Sequence, residues 1–100
     1  MAYKMVNATK EMIYESLKTI ELRLYVYADY WEMPSAMFSL VKSYKPGTLT
    51  PDNYLKIVTD DVKNNRDICE EWDKMLGYPI SCMKLGYFDE NKDFIICHNF

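Results

Sequence analysis

Residues 12–31 carry the longest regular hydrophobic pattern in the chain and constrain the fold more than any other segment. Their apolar positions follow one another at intervals of three or four: Ile13, Leu17, Ile20, Leu24, Tyr27 and Trp31. This spacing places them on one face of an α-helix with 3.6 residues per turn. The sequence therefore predicts a long first helix over residues 12–31, with Asn7 or Thr9 as its N-cap residue.

The second half of this segment fits more than one structure. Four further apolar residues lie outside the stripe: Leu22, Tyr25, Val26 and Tyr30. A helix with apolar residues on all sides is either buried on several faces or docked onto another protein. The run Leu-Arg-Leu-Tyr-Val-Tyr also alternates with a period of two and is rich in strand-forming residues, which fits a β-strand. We expect the helix, because the stripe continues through residues 21–31 without a turn residue.

Turn and cap signals divide the following chain into two more helices. Pro34 begins a short second helix, which ends at residues 45–47 (Lys-Pro-Gly). Its apolar residues are Met37, Phe38, Leu40, Val41 and Tyr44. Residues 50–52 (Thr-Pro-Asp) begin a third helix, which has a kink or break at residues 64–65 and Gly77 just beyond its end. The apolar stripe of the third helix is Leu55, Val58, Val62, Cys69, Trp72 and Leu76.

Beyond Gly77 the hydrophobic period changes from that of a helix to that of a strand. Residues 79–88 and 93–100 flank the polar tetrapeptide Asp-Glu-Asn-Lys at 89–92, which predicts a β-hairpin. Residues 1–6 fit a short edge strand or a disordered tail. A lone hairpin is marginally stable in water and must pack on helices or gain a third strand. The sequence thus predicts one α+β domain, with three helices packed on a small antiparallel β-sheet formed mainly by the C-terminal hairpin.

The residue types of a usual active site are scarce. His98 is the only histidine, and the three glycines are too far apart to form a phosphate-cradling loop. Three cysteines lack the paired spacing of a zinc site, and we expect them to be reduced and metal-free: Cys69, Cys82 and Cys97. Cys97 and His98 are neighbours in a predicted strand, where side chains alternate between faces. The sequence predicts a protein that is not an enzyme and that holds no cofactor.

The charge and hydropathy of the sequence indicate in which compartment the protein resides and which classes of partner it can bind. The N-terminus lacks the apolar core of a signal peptide, and the chain contains no stretch of 18 apolar residues without a charged one. We therefore expect a cytoplasmic protein without a membrane partner. The formal net charge is −3, and residues 52–100 carry six basic and ten acidic side chains. Direct binding to nucleic acid is not expected of such a chain.

Aromatic and acidic side chains remain as candidates for function. Nine tyrosines in 100 residues are unusual, and tyrosine and tryptophan are enriched at protein interfaces. These aromatics either fill the core or bind a partner protein or a second copy of the chain. On the predicted first helix, the candidate binding residues are those outside the stripe: Tyr25, Val26 and Tyr30. The third helix adds acids that are either solvated or DNA-mimicking: Asp60, Asp61, Asp67, Glu70, Glu71 and Asp73.

The C-terminal hairpin resembles that of a known family. Residues 85–94 (Leu-Gly-Tyr-Phe-Asp-Glu-Asn-Lys-Asp-Phe) and 97–99 (Cys-His-Asn) are similar to the last hairpin of staphylococcal uracil-DNA glycosylase inhibitors. Those inhibitors are small α+β proteins that mimic DNA and block a repair enzyme. The resemblance implies a small inhibitory protein of phage or mobile-element type, and it transfers no site residue.

We therefore expect a non-enzymatic, protein-binding inhibitor, directed against a host or defence enzyme that acts on nucleic acid. An acidic DNA-mimic inhibitor and a homo-oligomeric structural protein are the alternatives.

Overall fold

The computed structural model describes residues 4–28, 37–79 and 81–100. Its elements are β1 (Met5–Asn7), α1 (Lys10–Thr19), β2 (Leu22–Ala28), β3 (Met37–Tyr44), α2 (Tyr54–Asn64), α3 (Arg66–Leu76), β4 (Cys82–Phe88) and β5 (Phe94–Asn99). Within these residues the strands form one sheet in the order β1-β5-β4-β2-β3, in which β1 and β5 are parallel and the other pairs antiparallel. The predicted α+β class is confirmed, but the sheet extends well beyond a C-terminal hairpin.

The predicted first helix is correct only as far as Thr19. Thr9 is its N-cap residue, since the Thr9 Oγ1 atom accepts a hydrogen bond from the backbone N–H of Met12 at 3.2 Å. The chain then enters β2 at Leu22, so the helix predicted over residues 22–28 is wrong and the strand alternative is right. Trp31 and the other residues of 29–36 lie outside the described residues.

The all-round hydrophobicity of β2 reflects its place inside the sheet. The strand lies between β3 and β4, and side chains on both of its faces are buried. Leu24 and Val26 pack with the helices on one face, whereas Tyr25 belongs to a cluster on the opposite face. A strand buried on both faces reads as a continuous apolar run, which periodicity cannot distinguish from a buried helix.

The predicted second helix is also wrong, because Met37–Tyr44 forms the edge strand β3. Val41 is the extra residue of a β-bulge. Leu24 of β2 pairs with Lys42, whereas the next residue, Tyr25, pairs with Leu40. The bulge interrupts the period of two, so the apolar residues around it acquire the spacing of a helix. Pro34, the predicted start of this helix, lies outside the described residues.

The predicted third helix is confirmed as two helices with a break between them, but the first of these begins at Tyr54 rather than at residues 50–52. α2 ends at Asn64 and α3 begins at Arg66, with Asn65 between them in a non-helical conformation. The Asn65 side-chain amide donates a 2.8 Å hydrogen bond to the backbone oxygen of Asp61. Gly77 follows α3 in the left-handed conformation, with φ of +83°, as expected of a glycine at a helix C-terminus.

The C-terminal hairpin is confirmed. β4 and β5 pair antiparallel, and Phe88 lies opposite Phe94. In the connecting loop, the Asp89 Oδ1 atom accepts hydrogen bonds from the backbone N–H groups of Asn91 and Asp93, at 2.9 and 3.0 Å. Local side-chain bonding of this kind is what makes aspartate a common turn residue. β1 extends the sheet by pairing with β5, so of the two alternatives for residues 1–6 the edge strand is right at Met5 and Val6, and the strand continues to Asn7.

Two hydrophobic clusters lie on the two faces of the sheet. The larger cluster joins the three described helices to the strands through Leu17, Leu24, Val58, Cys69 and Leu85 among others. The smaller cluster consists of strand residues: Met5, Tyr25, Phe38, Phe88, Phe94 and Ile96. The Tyr25 ring packs edge-on against Phe38 and Phe94, with ring centroids 5.6 Å apart in each pair. These contacts assign part of the aromatic content to the core.

We expect Ile95→Asp and Ile96→Asp to destabilise the fold by about 3 kcal/mol or more, because each buries a charge without a partner. The two side chains are only 4% and 8% exposed. Urea denaturation measures the change in the free energy of unfolding. Asn91→Asp adds the same charge at an exposed loop position and serves as the control. Equal stability of all three variants would mean that β5 does not belong to the core.

Candidate protein-binding groove

The aromatic binding residues predicted from the sequence are not exposed. Tyr25 is 7% exposed and Val26 is fully buried. The expectation that they face a partner is wrong, because it assumed a helix and they lie in β2, which is covered on both faces. Tyr30 lies outside the described residues. β2 therefore offers no aromatic helix face to a partner or to a second copy of the chain.

Four of the six predicted acidic residues are exposed, but they do not form a uniformly acidic surface. Exposed carboxylates on α2 and α3 are those of Asp60, Asp67, Glu70 and Glu71. The same two helices expose four basic side chains: Lys56, Lys63, Arg66 and Lys74. Interleaved charges of this kind are typical of a solvated helix surface.

Asp61 differs from the other acids, because it connects α2 to β3. Its carboxylate accepts a 2.7 Å hydrogen bond from the Tyr44 hydroxyl, and the Lys42 Nζ atom lies 3.2 Å from each carboxylate oxygen. Burial, followed by the bond to Asp61, raises the pKa of Tyr44 above its ordinary value. Tyr44 therefore stays protonated at neutral pH and acts as a hydrogen-bond donor, which indicates a structural role for the three residues.

We expect Tyr44→Phe to lower the free energy of unfolding at pH 7 by about 1–2 kcal/mol, because the substitution removes a hydrogen bond to a charged acceptor. Tyr14→Phe removes a hydroxyl from a half-buried ring on α1 and serves as the control. Thermal or urea denaturation measures both variants. An equal loss in the two would contradict a specific contribution from the Tyr44–Asp61 contact.

The Tyr44–Asp61 contact also predicts how the free energy of unfolding depends on pH. The folded-state pKa of Tyr44 is raised, so the unfolded chain loses this proton first, near its ordinary pKa of about 10. The stabilisation is complete below that pH and is lost as the pH rises through the folded-state pKa. We expect the stability difference between the wild type and Tyr44→Phe to be constant from pH 7 to about 9 and to shrink above 10. A difference that grows at high pH would contradict the assignment.

The described cysteines are free thiols in environments that reduce their reactivity. Cys69 and Cys97 are buried, and Cys82 is half-buried. Burial raises the pKa of Cys97, whose Sγ atom lies 3.8 Å from the Ser16 Oγ atom. Burial likewise raises the pKa of Cys82. A thiol with a raised pKa is a weak nucleophile at neutral pH. Among the described residues, no cluster of three or more histidine, cysteine or acidic side chains could hold a metal ion.

A groove runs between α1 and the adjoining ends of β2 and β4. It consists of two cavities of about 310 and 270 Å³, which share Ile20 and Tyr87 in their walls. The larger cavity lies against α1 and is also lined by Glu11, Met12, Glu15, Ser16 and Thr19. The smaller cavity is also lined by Glu21, Arg23, Tyr25 and Phe88. We call the two cavities together the α1 groove.

The α1 side of the groove follows from the helical repeat. Glu11, Met12 and Glu15 are exposed and lie on one side of α1, since residues three and four apart are neighbours on a helix. Leu17 and Ser16 are buried and hold the other side of the helix against the sheet. The groove thus combines carboxylates and an exposed methionine from a short local segment.

The charged side chains that line the two cavities differ in whether they form an ion pair. Arg23 forms an ion pair with Glu21, at 3.1 Å, beside the smaller cavity. Glu11 and Glu15, which line the larger cavity, form no ion pair with any other described residue. The larger cavity therefore presents two uncompensated carboxylates beside the apolar surface of Met12 and Ile20. This arrangement can bind a cationic group that also carries apolar surface.

Sequence reasoning missed this groove. Glu11, Met12 and Glu15 are not among the binding residues predicted from the sequence, and Met12 lies outside the stripe that begins at Ile13. The available signal was an exposed methionine between two acids on an N-terminal helix. Tyr87, by contrast, comes from β4 and reaches the groove only through the tertiary fold.

Comparison with protein-family models, with curated proteins and with solved structures finds no match to this chain. The resemblance of the C-terminal hairpin to staphylococcal uracil-DNA glycosylase inhibitors therefore stays a prediction. Within the described residues, no helix is long and apolar enough to cross a membrane.

Proposed function

We propose that this protein is a non-enzymatic inhibitor that binds a host or defence enzyme acting on nucleic acid. The observation that carries the proposal is the larger cavity of the α1 groove, with two uncompensated carboxylates beside an apolar floor. Apolar surface rimmed by polar residues is a feature of protein-binding sites.

The charge of the groove points to the class of partner. Enzymes that act on nucleic acid bind the phosphate backbone through lysine and arginine side chains, so their substrate-binding surfaces are positive. Glu11 and Glu15 complement such a surface, and complementary charge increases both the specificity and the rate of association. A protein that covers that surface excludes the nucleic acid. The resemblance of the hairpin to a family of such inhibitors supports the same class of partner.

The contacts of the chemically capable side chains support binding rather than catalysis. Asp61 is occupied by Lys42 and Tyr44. The Ser81 hydroxyl donates to the Asp73 Oδ1 atom at 2.7 Å, and this bond ties the start of β4 to α3. The same Asp73 Oδ1 atom also accepts a 2.9 Å hydrogen bond from the backbone N–H of Ser81, so this contact fixes the connection between α3 and β4 and has a structural role.

The alternatives have weaker support. A DNA-mimicking surface requires a continuous run of negative charge, whereas the acids of α2 and α3 are interleaved with basic side chains. A homo-oligomer formed through an aromatic helix face lacks that face, since Tyr25 and Val26 are buried in β2.

Capture from a lysate of the native host, followed by inhibition of the purified captured enzyme, tests the proposal. Met12→Lys places a positive charge and added bulk in the groove. Met12 is 37% exposed, so the substitution should leave the melting temperature nearly unchanged. We expect binding to weaken by about thirtyfold, which corresponds to about 2 kcal/mol.

Leu55→Lys is the matched control, because it makes the same charge change at a 43% exposed position on α2. The control should bind and inhibit like the wild type. The proposal is wrong if no captured nucleic-acid enzyme is inhibited, or if Leu55→Lys weakens inhibition as much as Met12→Lys. A homodimer that persists in size-exclusion chromatography without a captured enzyme would favour the structural alternative.

A further inference from the structure

We propose that the larger cavity of the α1 groove receives one arginine side chain of the partner protein. The alkyl part of the arginine would lie on Met12 and Ile20, and its guanidinium group beside the carboxylates of Glu11 and Glu15. The inference rests on the proposed function, because it names the group that the same groove recognises.

The shape and lining of the cavity fit a long amphipathic side chain. Its volume of about 310 Å³ lies at the low end for small-molecule sites, which suits one inserted side chain better than a nucleotide. Met12, Ile20 and Tyr87 provide apolar and aromatic surface. Arginine buries its alkyl stem along such surface while its charged end stays at the rim, and its guanidinium group also stacks on aromatic rings.

The carboxylates favour a guanidinium group in particular. Glu11 and Glu15 are one helical turn apart on α1, and both line the cavity. A guanidinium group has five N–H donors in a planar fork and can bond to two carboxylates at once. The lysine ammonium group is compact and strongly hydrated, so it gains less from the same arrangement.

Within residues 4–28, 37–79 and 81–100, no cation of the chain itself fills this position. Arg23 is held by Glu21 at 3.1 Å beside the smaller cavity. The Lys10 Nζ atom lies over the Tyr14 ring, 5.6 Å from its centroid. Lys18 is exposed on α1 and does not line the cavity. The two glutamates are therefore available to a cation from outside.

Other occupants fit the cavity less well. A phosphate group would be repelled by the two carboxylates. An inserted leucine would cover the apolar floor but would take water away from both carboxylates without offering a hydrogen bond. An arginine side chain can cover the apolar surface with its alkyl part and bond to both carboxylates with its guanidinium group.

An NMR titration of the isotopically labelled full chain tests the inference directly. The probe is the peptide Gly-Arg-Gly with blocked termini, and the reference is the same peptide with citrulline, which is uncharged and nearly identical in shape. We expect the arginine peptide to shift the backbone amide signals of Met12, Ile20 and Tyr87. The citrulline peptide should bind about fivefold more weakly, because it lacks the charge.

Two double variants separate the groove from general electrostatic attraction. Glu11→Gln with Glu15→Gln should weaken binding of the arginine peptide by about fivefold. Glu70→Gln with Glu71→Gln changes the net charge equally on the exposed surface of α3 and should leave binding unchanged. The inference is overturned if the arginine peptide causes no shifts at the groove. It is also overturned if citrulline binds as well as arginine, or if the two double variants behave alike.

The outcomes also separate this inference from the proposed function. If the arginine peptide fails to bind while Met12→Lys still abolishes inhibition of a captured enzyme, the groove binds its partner through another group. If the arginine peptide binds but no nucleic-acid enzyme is inhibited, the groove is an arginine site and the proposed function is wrong.

Discussion

The burial of β2 on both faces is the constraint on which the rest of the structure depends. Leu24 and Val26 are fully buried on the face that the helices cover, and Tyr25 packs among phenylalanine rings on the other face. Because β2 lies between β3 and β4, its backbone hydrogen-bonding groups are also paired along both edges. A single strand thus links the two hydrophobic clusters, and close packing makes both sensitive to changes within it.

The α1 groove is a consequence of how α1 covers this sheet. α1 directs Leu17 and Ser16 inward, while Glu11 and Met12 remain exposed. The connection from α1 to β2 is short, and its residue Ile20 lines both cavities together with Tyr87 of β4. The position of the groove is therefore set by the packing of α1 on the sheet core.

Several polar side-chain contacts inside the molecule connect a helix to a strand. Asp61 connects α2 to β3, and Ser81 connects β4 to α3 through Asp73. Cys97 of β5 and Ser16 of α1 meet in the buried layer between sheet and helix. Ser16 is fully buried, and its hydroxyl also donates a 2.7 Å hydrogen bond to the backbone oxygen of Ile13, as a buried polar group requires. The carboxylates of Glu11 and Glu15, which form no ion pair with the described residues, lie instead at the surface of α1.

Local signals in the sequence determined the elements whose boundaries depend on a few adjacent residues. Thr9 at the start of α1, the break at Asn65, Gly77 after α3 and the loop of the C-terminal hairpin were all predictable in this way.

Only the tertiary structure decided that residues 22–28 and 37–44 are strands. Burial on both faces removes the alternation of β2, and the bulge at Val41 shifts the alternation of β3, so each acquires the spacing of a helix. The candidate site likewise has one part that the sequence predicts and one part that only the tertiary structure determines. The exposed face of α1 follows from the helical repeat, whereas the groove requires Tyr87 from a strand distant in the chain. That Glu11 and Glu15 form no ion pair with a described residue depends on where the folded chain places its cations.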